Sequence, residues 1–285
     1  MSAREPIDKL QEQQEQQNQQ DKPDTLSEGV QDIVQQAEHE VRRSRVPWHQ
    51  SSKRALLFIT LYLIEFVLFT LLAVFVHFHP VDWIDTTITR TFQENHAPWL
   101  VNLMTWTSYL GYHPFIFAGL ILVTAIIFWL VRLRLEAIYV IVLSLVSALL
   151  NLAIKVIVNR PRPSARLVDV FRHAAGQSFP SGHVMSYVAY WGLLFSLGII
   201  LLKRDRWWHY LVLIIPALFV LLVGPSRVYL GAHWSSDVLG AYLFGSLLLG
   251  LSLWLYLNLK RRGVLAHKPE RGEPIIEPQP PSPTS

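Results

Sequence analysis

Cysteine is absent from all 285 residues, so neither a disulfide framework nor a thiolate metal site is open to this chain. Acid is scarce beyond the N-terminal segment. Residues 1–41 carry ten acids against Arg4, Lys9 and Lys22, which leaves 22 basic and 11 acidic residues for the rest. The later part offers no acidic cluster suited to a metal ion. No apolar stretch follows the start methionine, so a signal peptide is not expected. The same segment, nearly all Gln or Glu from Gln11 to Gln20, is too poor in apolar residues to build a core. Residues 1–50 are therefore expected to be a disordered acidic tail, with a short helical piece allowed around Leu26–Val41.

What the chain has instead is long apolar runs, in a composition that is 51% hydrophobic. A bilayer is crossed by about 20 apolar residues in a helix. Six such spans are expected near Ala55–Val76, His113–Val131, Glu136–Ile157, His183–Leu202, Trp208–Val223 and Asp237–Leu259. The fold class is all-α: a polytopic membrane protein of six transmembrane helices over residues 51–262. Residues 263–285 form a proline-rich tail with Pro278, Pro280, Pro281 and Pro283, expected to be unstructured. Val81 to Tyr112 is apolar but interrupted by Asp82, Asp85, Arg90, Glu94 and His96. It reads as amphipathic helices in the interface anchored by Trp83, Trp99 and Trp106. A start near Leu100 is the alternative for the second span.

Basic residues set the orientation. Arg42, Arg43, Arg45, Lys53 and Arg54 precede the first span. Arg132 and Arg134, then Lys203, Arg204 and Arg206, then Lys260, Arg261 and Arg262 mark the same side. By the positive-inside rule both termini are cytoplasmic. The opposite side carries Arg160, Arg162, Arg166, Arg172 and Arg227, which oppose that assignment unless they serve a site.

Three polar clusters interrupt the apolar background on that opposite side. They are Lys155 to Pro163, Phe179 to His183, and Ser226 to Asp237. Ionisable groups at membrane helix ends are costly and mark function. Lys155, Arg162 and Arg227 together suit an oxyanion, phosphate best of all. Ser181 and Gly182 follow Pro180 where an apolar helix begins, a position whose free N–H groups cradle anions. His183 and His233 can supply a nucleophile and a proton donor. Asp237, four residues after His233, shares its face if that stretch is helical, and can orient the ring.

The order and spacing of these clusters resemble the type 2 phosphatidic acid phosphatase (PAP2) family, which shares its pocket with the vanadium haloperoxidases. The family pattern Lys-x6-Arg-Pro, Pro-Ser-Gly-His and Ser-Arg-x5-His-x3-Asp is matched by Lys155 to Pro163, Pro180 to His183 and Ser226 to Asp237 without substitution. The resemblance covers Leu100 to Lys260 and implies a bacterial membrane lipid phosphatase; with both termini cytoplasmic, its active site is expected at the outer face of the cytoplasmic membrane. It implies that His233 attacks phosphorus to give a phosphohistidine, Asp237 orients it, and His183 protonates the leaving oxygen. Lys155, Arg162, Ser181, Gly182 and Arg227 then hold the phosphate oxygens, with no metal and no cofactor. The substrates it suggests are phosphatidylglycerol phosphate, phosphatidic acid or undecaprenyl pyrophosphate.

The expected partners are a lipid phosphate and the bilayer, with no nucleic acid; the partner of the N-terminal tail, if it has one, cannot be named. The rival readings are a lipid phosphotransferase using the same pocket, a vanadate-dependent haloperoxidase, and a non-catalytic lipid-binding or scaffold protein. Outside the motifs, the loop Arg160–Pro180 is expected to cap the pocket. Asn151 either orients Lys155 or packs between helices. Glu65, in the middle of the first span, is expected to pair with a polar neighbour or stay protonated. Arg166, Arg172 and His173 read as a solvated loop or a headgroup grip.

Overall fold

The computed structural model describes residues 52–171, 175–202, 207–262 and 264. The acidic tail, Arg172 and His173, the Lys203–Arg206 cluster and the proline-rich end lie outside the described residues. All regular structure among the described residues is helical. The elements are α1 (Ser52–Phe78), α2 (Trp83–Gln93), α3 (Pro98–Tyr112), α4 (Pro114–Leu130), α5 (Arg134–Val158), α6 (Gly182–Leu201), α7 (Trp207–Tyr229) and α8 (Ser235–Arg261). Five of them (α1, α5, α6, α7 and α8) are long and apolar enough to cross a membrane. A sixth crossing exists if α3 and α4 count as one broken span, because they meet at 74°. His113-Pro114 makes that break: proline has no N–H to continue the helix and restrains the residue before it.

Helix α6 is the axis of the bundle. Val184, Met185, Tyr187, Val188, Ala189, Tyr190, Leu193, Leu197 and Leu201 are all buried, so its sides are covered nearly all round. It touches α5, α7 and α8, while α1 lies against α8, α4 against α5, and α3 against α7. The outer helices turn Leu56, Phe58, Leu71, Leu122, Leu145, Leu221 and Trp254 outward, as lipid requires. Between such helices, close packing and internal hydrogen bonds rather than water exclusion hold the bundle. One such device lies at the far end from the site, where Tyr256 and Lys260 donate to Glu136 at 2.6 and 2.9 Å.

Two expectations change here. The fifth span runs to Tyr229 rather than Val223, so Ser226 and Arg227 sit on the last turns of α7. Gly224-Pro225 reads locally as a helix stop, but the Tyr242 hydroxyl from α8 enters the ladder. It accepts from the Gly224 N–H at 3.1 Å and donates to the Val220 carbonyl at 2.5 Å, bracing the turn that leads into Pro225. The helix continues through the proline.

The second change concerns α2. It carries Trp83, Ile84 and Phe92 outward, and Trp99 and Trp106 on α3 are also exposed, which suits interfacial anchors. Its polar stripe, however, is not in water. Asp85, Thr89 and Gln93, spaced four apart, are buried against the protein. Gln93 donates to the carbonyls of Asp169 and Tyr229 and accepts from the Asp169 N–H. It thereby ties the capping loop to the end of α7.

Candidate active site

Four helix ends converge to make the site: the C-termini of α5 and α7 and the N-termini of α6 and α8. Helix α5 stops at Asn159, whose φ of 47° is the left-handed conformation that asparagine tolerates at a helix end. Pro161 and Pro163 then keep the chain extended. Lys155, on the last turn, donates to the carbonyls of Gln177 and Ser178 at 2.7 and 3.2 Å. Arg162 donates to Gly176 O at 3.1 Å and Ala232 O at 2.8 Å. The loop that follows Arg160 is thus drawn over the four helix ends, where the sequence placed it.

Ser181 stands at the N-cap position of α6 without a side-chain capping bond, and Gly182 opens the helix. The Ser181 N–H donates to Asp237 O at 3.1 Å, which joins the starts of α6 and α8. Asn151 does not reach toward Lys155; it donates to the Pro180 carbonyl at 3.2 Å and holds this turn on α5. The Ser181 hydroxyl and His183 Nε2 are buried without a hydrogen-bond partner among the described residues. Buried polar atoms are seldom left so, and at a helix N-terminus they suit an incoming anion.

Arg227 is fully buried, with its guanidinium 4.6 Å from the centre of the Tyr112 ring. The same ring meets His183 edge-on at 5.0 Å. Ser226 is bonded to Ser108 of α3 at 2.7 Å and so fixes the end of α7 rather than facing the cations.

His233 and Asp237 do meet, but not on a shared helix face. His233 lies in the loop before α8, shaped by Gly231, whose φ is +63° and where a Cβ would stand 2.0 Å from Asp169 O. Asp237 occupies the third position of α8 and accepts from the Trp234 N–H at 2.9 Å, as a helix-start carboxylate does. Capping, not helical periodicity, points it back at the loop. Its Oδ2 is 3.4 Å from His233 Nδ1. His233 Nε2 faces the other way and lies 3.0 Å from Arg162 Nη1. Burial and then the charges of Arg162, Arg227 and Lys155 hold the His233 imidazole well below its ordinary pKa, against a smaller opposing bond from Ser178. Arg162 is likewise pushed down by burial and by Arg227. The cations crowd one another, and an anion among them would relieve that.

All eight residues singled out from the motifs therefore collect in one region. Glu65 does not: it accepts from Ser246 on α8, about two and a half turns beyond Asp237. Three residues went unnoticed in the motifs. Ser178 donates a short bond to Asp237 Oδ2 and lies 3.5 Å from His233 Nδ1. Arg160 Nη1 donates to Asp237 Oδ1 at 2.7 Å, and Arg160 Nη2 to Asp85 Oδ2 at 2.6 Å. The place of Arg160 inside the first cluster, between Lys155 and Arg162, was the available signal; Asp85 gave none. Among the described residues no group of three His, Cys, Asp or Glu side chains gathers as a metal-ligand set.

Comparisons with known proteins point to one family. A family model, the PAP2 superfamily, matches residues 135–261. The chain is 32% identical over 197 residues to phosphatidylglycerophosphatase B of Bacillus subtilis (strain 168), a match covering 69% of this chain and 95% of that protein. It is 27% identical over 145 residues to undecaprenyl-diphosphatase BcrC of the same organism, covering 50% of this chain and 69% of BcrC. The fold superposes on the crystal structure of a transmembrane PAP2-type phosphatidylglycerolphosphate phosphatase from Bacillus subtilis with a TM-score of 0.60 and 29% identity, covering 70% of this chain and 98% of the other. The chain belongs to the PAP2 superfamily, in its branch of bacterial membrane lipid phosphatases.

Proposed function

We propose that this protein hydrolyses the terminal phosphate of a membrane lipid, a phosphomonoester or pyrophosphate, through a phosphohistidine on His233. The observation that carries the reading is the His233 ring held between Asp237 at Nδ1 and the cation cluster at Nε2. A ring nitrogen that accepts from a guanidinium carries a lone pair, so the proton resides on Nδ1 beside the carboxylate. Nε2 attacks phosphorus in line as the bond from phosphorus to the lipid oxygen breaks. His183 gives that oxygen its proton, and Asp237 stabilises the imidazolium-like phosphohistidine. Water, losing a proton to His183, then attacks the same phosphorus and frees Nε2. Lys155, Arg162, Arg227, the Ser181 hydroxyl and the Gly182 N–H hold the non-bridging oxygens throughout. Three cations at the phosphate supply the charge that a metal ion would otherwise bring.

The basic clusters favour a cytoplasmic position for both termini, and on that reading the reaction runs on the outer leaflet of the cytoplasmic membrane. Phosphatidylglycerol phosphate and undecaprenyl pyrophosphate, on which the relatives' names say those proteins act, and phosphatidic acid form the substrate panel. The test is phosphate release by the purified protein from each lipid, in EDTA, beside His233→Ala. Release that survives EDTA and disappears in the variant is expected, and the ranking names the substrate. Full activity in His233→Ala refutes the nucleophile. Release that needs a second lipid as acceptor turns the reading to a transferase.

A further inference from the structure

The family's motifs supply the groups around the phosphate but leave a buried charge chain behind them without a role. Asp85, Arg160 and Asp237 are 3%, 1% and 0% exposed. Arg160 stands between the two carboxylates, 2.6 Å from Asp85 and 2.7 Å from Asp237. Its Nε donates to Pro80 O at 3.0 Å and its Nη1 also to the Ser236 hydroxyl at 2.6 Å, so each of its nitrogens is engaged. Asp85 is equally tied. Its Oδ1 accepts from the Ser235 hydroxyl at 2.6 Å and the Ser236 N–H at 2.8 Å, and its Oδ2 from the Ser236 hydroxyl at 2.5 Å. Ser235 and Ser236 are the first residues of α8, the helix that presents Asp237.

We infer that Asp85 and Arg160 are positioning residues for the reaction at His233, fixing both the direction and the effective charge of the Asp237 carboxylate. The inference rests on the proposed role of His233. A lone guanidinium at 2.7 Å would largely cancel Asp237, leaving little negative charge to favour the cation that forms on His233. Asp85 on the far side of Arg160 restores one net negative charge to the chain. A buried ion pair of this kind is weak evidence for stability, since desolvation consumes most of its attraction. Packing α2 onto α8 would need only neutral hydrogen bonds, whereas tuning the dyad needs the charges. Asp85 also precedes the segment that the family model matches, so this support comes from outside it.

The test uses the purified full-length protein, with dioctanoyl phosphatidic acid and undecaprenyl pyrophosphate as probes. Folding is checked by elution profile and Tm. Asp85→Asn is expected to lower kcat about tenfold to a hundredfold, the usual range for supporting partners of a reacting group, with KM within about threefold. Asp85→Glu, which keeps the charge, recovers part of the loss. Asp85→Asn combined with Arg160→Gln returns the chain to its original net charge and is expected to be no slower than Asp85→Asn alone. A merely structural role predicts lower Tm with unchanged kcat per folded molecule, and additive losses in the double variant. Either result overturns the inference. If Asp85→Asn does not fold, Ser236→Ala decides: it removes a hydroxyl shared by Asp85 and Arg160, and an unchanged kcat there also overturns it. Activity surviving in His233→Ala would instead sink the nucleophile reading, a result distinct from any of these.

Discussion

Gly111 lies flat against the imidazole of His183: a Cβ added there would stand 2.0 Å from the ring's Cδ2 and 2.5 Å from Nε2. Only hydrogen fits between α3 and the proton donor proposed here. Gly111→Ala must therefore push the ring aside, although alanine itself favours the helix. Displacing a reacting group by about 1 Å costs on the order of a hundredfold in rate. The expected outcome is a loss of that size in kcat with Tm little changed, measured by phosphate release from the best lipid of the panel. Undiminished turnover would remove His183 from the mechanism.

The depressed pKa of His233 has two consequences in pH. In the proposed mechanism the neutral ring is the nucleophile, so the acid limb of kcat/KM assigned to it should fall well below the ordinary histidine value of about 6.5. For stability, the folded state resists a proton that the unfolded chain takes up near 6.5. Stability is then full above that value and declines as pH falls from it toward the folded pKa. His233→Gln, which cannot titrate, should flatten that part of a Tm-against-pH curve. An acid limb centred at or above 6.5 contradicts the expectation.

Tyr242→Phe deletes the hydroxyl that links the Gly224 N–H to the Val220 carbonyl. Two part-buried hydrogen bonds to the backbone near the end of α7 are lost, at about 0.5–1.5 kcal/mol each. The turn carrying Ser226 and Arg227 is the part that loosens. Lower Tm with a raised KM is expected from thermal melts and initial rates. A variant as stable as the parent would mean that the hydroxyl does not brace this turn.

Glu136 anchors the opposite end of the bundle, its side chain 4% exposed and bonded to Tyr256 and Lys260. Glu136→Ala leaves Lys260 without its carboxylate, a loss of about 3 kcal/mol, at the low end for a broken buried pair because Lys260 can swing outward. The Tm in detergent should drop while kcat per folded molecule holds. A matching loss of kcat would connect this distant cluster to the site.

How much of this was legible beforehand follows the range of each signal. The motif residues could be read because cations, imidazoles and a carboxylate at apolar helix ends have few bland explanations, and span lengths put those ends on one side. Periodicity could not tell that the His233–Asp237 pairing comes from a loop and a helix cap. Nor could it show α7 running through Pro225, because the hydroxyl that braces the preceding turn lies 18 residues away on α8. Asp85 was the hardest to see. Its partner Arg160 is 75 residues further on, and in α2 an inward polar stripe has the same spacing as a water-facing one.

That inward stripe bears on any attempt to transplant the site. A chimera that grafted residues 135–261 onto a foreign amphipathic leader would carry every motif and still bury Arg160 opposite an apolar or mismatched surface. Exchange of parts between members of the superfamily should therefore succeed only when α2 travels with the catalytic helices. In that sense the smallest heritable unit of the proposed active site begins at Asp82, where α2 is capped, rather than at the first motif.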